Sequence, residues 1–276
     1  MLSACSSCRE LIYINMCDYP IIVSMTTWPK RCQNAVEAMR SIVFQKHTVP
    51  VKYMLTLSLE EKDGIPVSVF KAMSDMGVEV VWDKGNIKSH KKLMQAIERH
   101  PECPIIVVDD DMLQKDGWLQ TFIDDHIAHP HDIIYGQSGS VVEIHADRIV
   151  EGIAQRGNYT RPGTVTFNVK PANGSAGTLY PAGTFTDQRF FDRSLYMCLS
   201  PTSDETWQWA FAVMAGRTFR CLSSHNYPDV GSADQRCALF KQNILRYTKI
   251  HNDIACVMPK YKEQLQILIN KKEHDQ

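Results

Sequence analysis

At 276 residues the chain suits one large domain or a domain with an appended subdomain, and with 44% hydrophobic and 22% charged residues it can bury a sizeable core. Its 30 basic and 31 acidic side chains nearly cancel, which excludes a global field for nucleic acid or anionic lipid and leaves any charged ligand to a local cluster. No apolar stretch approaches the ~20 residues of a bilayer span, no signal peptide is expected, and the nine scattered cysteines match thiol usage in a reducing cytosol.

In chain order, residues 21–25 are a β-rich run that ends in the polar loop Thr26-Thr27-Trp28-Pro29-Lys30-Arg31. Ala35, Met39, Ile42 and Val43 then fall at helical spacing. Residues 53–57 are a second strand candidate and 67–76 a second helix, with Gly77 where a C-cap belongs. A third strand covers 78–82. The loop 83–89 leads into a helix carrying Leu93, Met94 and Ile97 on one face. Pro104 introduces Ile105-Ile106-Val107-Val108, a run that reads as a strand buried on both faces. This alternation predicts an α/β fold with a mostly parallel central sheet flanked by helices. Ligands of such sheets bind beyond the carboxyl ends of the strands, so the loops at Thr26, Ser58, 83–92 and Asp109 should open onto one crevice.

After Ile134 the pattern changes. Residues 157–185 hold five of the fourteen glycines and read as loops and short antiparallel strands, a smaller region beside the sheet. Further helices are expected over 205–215, around 232–247 and near 260–272. Cys5 and Cys8 form a C-x-x-C without the second pair that structural zinc needs. Asn158 with Thr160, and Asn173 with Ser175, match the glycosylation acceptor pattern but read as turn chemistry. His126, His129 and His131 have the spacing of a loop or helix end.

Three clusters carry chemistry. Asp109, Asp110 and Asp111 directly follow a buried strand, where adjacent carboxylates suit a hard divalent cation and, through it, a diphosphate. Asn86, Lys88, Lys91 and Lys92 lie at the start of the helix before that strand, a natural phosphate site, although a solvated basic face would give the same spacing. Asp204 and Glu205 open the helix that begins Thr206-Trp207-Gln208-Trp209. The helix dipole alone accounts for carboxylates there; a general base in the crevice is the functional alternative. His225 and His251 are candidate late metal ligands. G-x-S-x-G, G-x-x-x-x-G-K-[ST] and G-x-G-x-x-G are all missing, which removes support from serine hydrolase, P-loop and dinucleotide readings.

The ordered set of Val23 to Arg31, Asn86 to Leu93, Ile106 to Asp111, Gly177-Thr178-Leu179-Tyr180-Pro181 and Ser203-Asp204-Glu205-Thr206-Trp207 resembles bacterial GT-A fold glycosyltransferases. The similarity is to a family-2-like group associated with surface polysaccharide assembly. It implies a Rossmann-like domain over 21–255, with an N-terminal extension 1–20 and a C-terminal helical tail 256–276. It further implies transfer of a sugar from a nucleotide-diphosphate sugar, UDP being the expected nucleotide, to a glycan or lipid-linked glycan, with inversion. Thr26, Thr27, Arg31, Ser58, Asn86, Lys88, Lys91, Lys92, Asp109 and Asp110 would bind the donor. Asp111, with Asp109 and His225, would hold Mn²⁺ or Mg²⁺. Asp204 or Glu205 would be the base, and Gly177, Tyr180 and Trp207 would lie on the acceptor side. The expected location is cytoplasmic, at the inner face of the plasma membrane for a lipid-linked acceptor. A sugar-nucleotide nucleotidyltransferase is the rival reading; the loop 26–31 has no glycine, which counts against it. A non-catalytic module of the same fold is the other.

Overall fold

The computed structural model describes residues 19–136, 139–152, 165–166, 169–171, 176–224, 229–230, 243 and 246–274. Cys5, Cys8, Asn158, Asn173 and His225, and most of the helix expected around 232–247, lie outside the described residues.

The first half alternates strands β1 (Ile21–Thr26), β2 (Val51–Ser58), β3 (Val78–Asp83) and β4 (Ile105–Val108) with helices α1 (Cys32–Val43), α2 (Val67–Asp75) and α3 (Lys91–Arg99). β5 (Met112–Leu113), α4 (Trp118–Ala128) and β6 (Ile133–Tyr135) follow. Then come β7 (Gly139–Ile144), β8 (Ile149–Gly152), β9 (Val165–Thr166), β10 (Val169–Pro171) and β11 (Thr178–Tyr180). The last part contributes α5 (Arg193–Leu199), α6 (Asp204–Met214), β12 (Phe219–Cys221), β13 (Asp229–Val230), α7 (Tyr247–Val257) and α8 (Pro259–His274).

Among the described residues the main sheet runs β3-β2-β1-β4-β11-β6-β12-β9. β1 pairs in parallel with β2 and β4, β2 with β3, and β12 with β6; β11 is antiparallel to both neighbours. The parallel order is therefore interrupted only by β11 and the edge strand β9. Strand periodicity divides the core. Ile22, Ile105 and Val107 face a layer that includes Leu93 of α3 and Trp207 and Trp209 of α6. Ile21, Val23, Ile106 and Val108 face Ala35 and Met39 of α1 and Trp118 and Phe122 of α4. A three-stranded sheet, β10-β7-β8, forms the smaller region.

Four local details refine the sequence reading. Gly77 takes φ +72° after α2, as a left-handed C-cap requires. α4 was not evident in the sequence; Trp118, Leu119, Phe122 and Ile123 give it a buried stripe. His126 sits inside that helix, and burial, helped by His131, pushes its pKa down to about 4; His129 caps the end. α7 was also unforeseen: it and α8 place Ile250, Ile254, Tyr261 and Leu265 in the core layer that contains α6.

Candidate active site

The crevice lies at the carboxyl ends of β1 to β4. Asp109, Asp110 and Asp111 leave β4 in different directions and acquire different partners. Asp110 turns inward, where Thr27 Oγ1 donates to Oδ2 (2.5 Å) and Arg31 Nη2 approaches Oδ1 (2.9 Å). Burial raises the Asp110 pKa to about 6, with Arg31 and Thr27 pulling against it. The same Arg31 nitrogen lies 2.7 Å from Asp111 Oδ2. One guanidinium thus joins the loop after β1 to two of the three aspartates, while its buried Nε has no hydrogen-bond partner among the described residues.

Asp109 is half-exposed and faces α3. Lys92 Nζ donates to its Oδ1 (2.8 Å) and lies 3.3 Å from Asp204 Oδ2 at the first turn of α6. The Lys92 side chain is only 1% exposed. Burial disfavours its charge, but Asp109, Asp204 and Glu205 together hold its pKa above the ordinary lysine value. Ser24 Oγ on β1 donates to the Lys92 carbonyl (2.5 Å), pinning the start of α3 to the sheet. A solvated basic face is excluded for Lys91 as well: buried, it donates to Ser58 Oγ (2.9 Å) and Asn86 Oδ1 (3.3 Å). Lys88 alone of the three lysines is exposed. Asn86 and Lys88 take φ +41° and +53°, left-handed backbone just before α3.

Asp204 and Glu205 share the helix start but not their surroundings. Asp204 is buried; burial opposes its charge, yet the nearby Lys92 and His90 depress its pKa below the usual value. Glu205 is partly exposed, next to Ser203, whose Oγ lies 3.4 Å from its Oε2. Burial and the Asp204 charge push Glu205 up to about 7, against the pull of Lys170 and Lys92. The arrangement gives one carboxylate locked in an ion pair and one poised to exchange a proton near neutrality. His90 ties the two halves together: Nε2 donates to the Ser200 carbonyl (2.8 Å), and the ring stacks on Tyr196 with centroids 4.6 Å apart.

The structure therefore joins Thr27, Arg31, Asp109, Asp110, Asp111, Lys92, Asp204 and Glu205 in one connected cluster, with Ser58, Asn86 and Lys91 beside it. Thr26 lies at the rim, its hydroxyl donating to the Thr56 carbonyl (2.7 Å) across β1 and β2. The three acceptor-side candidates are interior. Gly177 (φ +86°) packs against Trp118, Tyr180 donates to Gln208 Oε1 (3.0 Å), and the Trp207 indole donates to the Phe190 carbonyl (3.0 Å). They brace β11 and α6 behind the crevice surface. His251 is also interior, with both ring nitrogens engaged by Glu151 and Tyr261.

Two further carboxylates, not evident in the sequence, lie at the ends of β2 and β3. Asp83 ends β3 and Glu61 follows β2; Asp83 Oδ2 and Glu61 Oε2 are buried without hydrogen-bond partners among the described residues. Burial raises the Asp83 pKa. Its place at the end of a strand is the only signal of Asp83 in the sequence.

Asp109 and Asp111 are carboxylates of the type a hard divalent cation takes, but Lys92 engages Asp109 and Arg31 engages Asp111. Among the described residues no group of three or more histidine, cysteine, aspartate or glutamate side chains converges to hold a metal. No described helix is long and apolar enough to cross a membrane.

The mostly parallel sheet flanked by helices shares its fold with solved structures of TarS from S. aureus. Among the matching solved structures is that of residues 1–349 of TarS from S. aureus, at TM-score 0.53 and 14% identity, covering 86% of this chain and 65% of that one. The same TarS segment in complex with UDP matches at TM-score 0.50 and 15% identity, over 86% and 65% of the two chains. Its complex with UDP-GlcNAc matches at 0.52 and 14%, over 78% and 59%. The chain thus spans less than two-thirds of the TarS segment. No protein-family model matches the chain, and no curated protein matches it by sequence.

Proposed function

We propose that the protein is an inverting glycosyltransferase that moves a sugar from a nucleotide-diphosphate donor, UDP-linked by preference, to a hydroxyl of a glycan or lipid-linked glycan. The observation that carries this reading is the Asp109–Lys92–Asp204 ion-pair chain, with Glu205 beside it, spanning the crevice of a GT-A fold.

The division of labour follows from the environments. Asp83 and Glu61 offer unpaired buried acceptors to N–H and O–H groups of the nucleoside. Arg31, Lys91 and Lys88 supply positive charge along the diphosphate path. Mn²⁺ or Mg²⁺, held by Asp111 with Asp109, would neutralise charge on the leaving diphosphate. Glu205 accepts the proton of the acceptor hydroxyl as its oxygen bonds to the anomeric carbon. The bond from that carbon to the phosphate oxygen breaks, and the nucleoside diphosphate departs from the opposite face. Asp204 is ill-suited to this task, since its ion pair with Lys92 holds it ionised and weakly basic. Its charge instead helps raise Glu205 to a pKa matched to neutral pH.

A panel of nucleotide sugars, followed by thermal shift and by nucleoside diphosphate release with and without manganese, tests the proposal. Stabilisation by one donor together with release of its diphosphate is expected. Release of pyrophosphate from a nucleoside triphosphate and a sugar phosphate would establish the nucleotidyltransferase instead. Stabilisation without release in the presence of glycan acceptors would leave a binding module.

A further inference from the structure

Behind the acid pair lies a buried polar chain that the proposed mechanism does not use. Lys170 on β10 has a side chain only 4% exposed, and its ammonium meets Glu151 Oε1 on β8 at 3.0 Å. Glu151 Oε2 accepts from His251 Nε2 on α7 (3.0 Å), and His251 Nδ1 contacts the hydroxyl of Tyr261 on α8 (2.7 Å). Burial keeps His251 neutral by lowering its pKa, so Nδ1 accepts from Tyr261. Lys170 also reaches α6 directly: Nζ donates to Thr206 Oγ1 (3.3 Å), one residue after Glu205, and lies 4.6 Å from the Tyr247 ring centroid. Thr206 Oγ1 is in turn 2.7 Å from Ser203 Oγ, the hydroxyl beside Glu205.

A lysine this buried requires a reason, because a hydrophobic residue of similar volume would pack there without a desolvation penalty. The chain draws on five elements, and Lys170 joins it to the first turn of α6 through Thr206. We propose that Lys170, held in place by Glu151 and His251, is a positioning residue for the acid pair: it fixes the first turn of α6 and presents a buried cation to Glu205. The inference rests on the reading of Glu205 as the base. The charged and titratable groups acting on Glu205 are Asp204 on its own helix, Lys170 from β10, Lys92 from α3, Asp109 from the end of β4 and Tyr247 from α7. The two carboxylates oppose its ionisation and the two lysines favour it. Lys92 is already shared between Asp109 and Asp204, which leaves Lys170 as the cation whose balance Glu151 sets.

This yields opposite signs for two substitutions in one ion pair. In Lys170→Met the cation is lost and Glu205 should titrate higher, by about one pH unit. In Glu151→Gln the cation is no longer shared and Glu205 should titrate lower. Lys170→Arg should restore the wild-type value. The test is a ¹³C NMR titration of protein labelled at glutamate carboxyls, with the Glu205 resonance assigned by its disappearance in Glu205→Gln. Opposite displacements establish the proposal. Equal displacements, or none, overturn it and leave a purely structural ion pair. If Lys170→Met fails to fold, a downward shift in Glu151→Gln supports the proposal and an unmoved resonance overturns it. Turnover of Glu205→Gln on the nucleotide sugar selected by the donor panel keeps the two readings apart. Retained turnover refutes Glu205 as the base whatever the titrations show, whereas lost turnover with unmoved titrations refutes only the role of Lys170.

Discussion

Lys92→Met is the substitution that most directly loads the centre of the site. The lysine side chain is 1% exposed and holds two carboxylates, Asp204 (3% exposed) and Asp109 (39% exposed). Removing one partner of a buried pair costs about 3–5 kcal/mol, because the remaining charge is stranded. Asp109 can reach solvent, so its half is discounted, and the loss falls near the lower end, about 3 kcal/mol. For a chain of this size that lowers Tm by about 5 °C. The pH dependence has a definite sign. The Asp204 pKa is depressed in the native protein, so its contribution is fully present above the ordinary aspartate value and lost as pH falls through and below it. The stability gap between wild type and Lys92→Met should therefore be widest near pH 7 and shrink as pH falls, because the stranded, buried carboxylate protonates above the ordinary aspartate value. Calorimetric melts of both proteins between pH 3 and 8 measure it. Lys92→Met/Asp204→Asn should recover most of the loss. An unchanged Tm, or a gap independent of pH, would refute the buried ion-pair account.

Asp111→Ala should leave the protein folded but lower its melting temperature through the lost Arg31 pair, and should weaken manganese binding in the presence of UDP, read by electron paramagnetic resonance of free Mn²⁺; unchanged binding would remove Asp111 from the metal assignment. Gly177→Ala should destabilise by about 2–3 kcal/mol, since φ is +86° and the new methyl would stand 2.6 Å from the Trp118 ring; a neutral melt would contradict the packing role. Glu151 is a further acid-sensitive point. Burial would raise its pKa, but Lys170 and His251 bring it to about 2. Its contribution is present above the ordinary glutamate value and lost as pH falls toward 2, so the deficit of Glu151→Gln should narrow across that window in acid melts.

The fold was largely legible because its evidence is local. Four apolar runs separated by helical spacing dictate the β1 to β4 core, and Gly77 marks its helix end. The acidic strand end was visible for the same reason: three aspartates after Ile105 to Val108 have no apolar rationale. The roles within the site were less accessible. Asp204 and Glu205 look interchangeable in sequence, and only the placement of Lys92, 112 positions from Asp204 along the chain, separates an ion-paired carboxylate from a titratable one. Lys170, Glu151 and His251 are drawn together from three elements across 100 residues, a distance over which no periodicity operates. Asp83 and Glu61 carry no local mark of their burial. Tyr180 and Trp207 show another limit: nothing local in the sequence marks that their side chains are buried.

The central claim is that Glu205 takes the acceptor proton during transfer from a nucleotide sugar. Donor affinity and turnover of Glu205→Gln, measured on one nucleotide sugar, test it most directly. A base acts in the transition state and adds little to donor binding. Turnover should fall by roughly 10²-fold or more, with donor Kd within about threefold of wild type. In the wild type, turnover should rise with pH through about 7 as the carboxylate ionises. Near-normal turnover in Glu205→Gln, with the same pH profile, would contradict the assignment and the mechanism built on it.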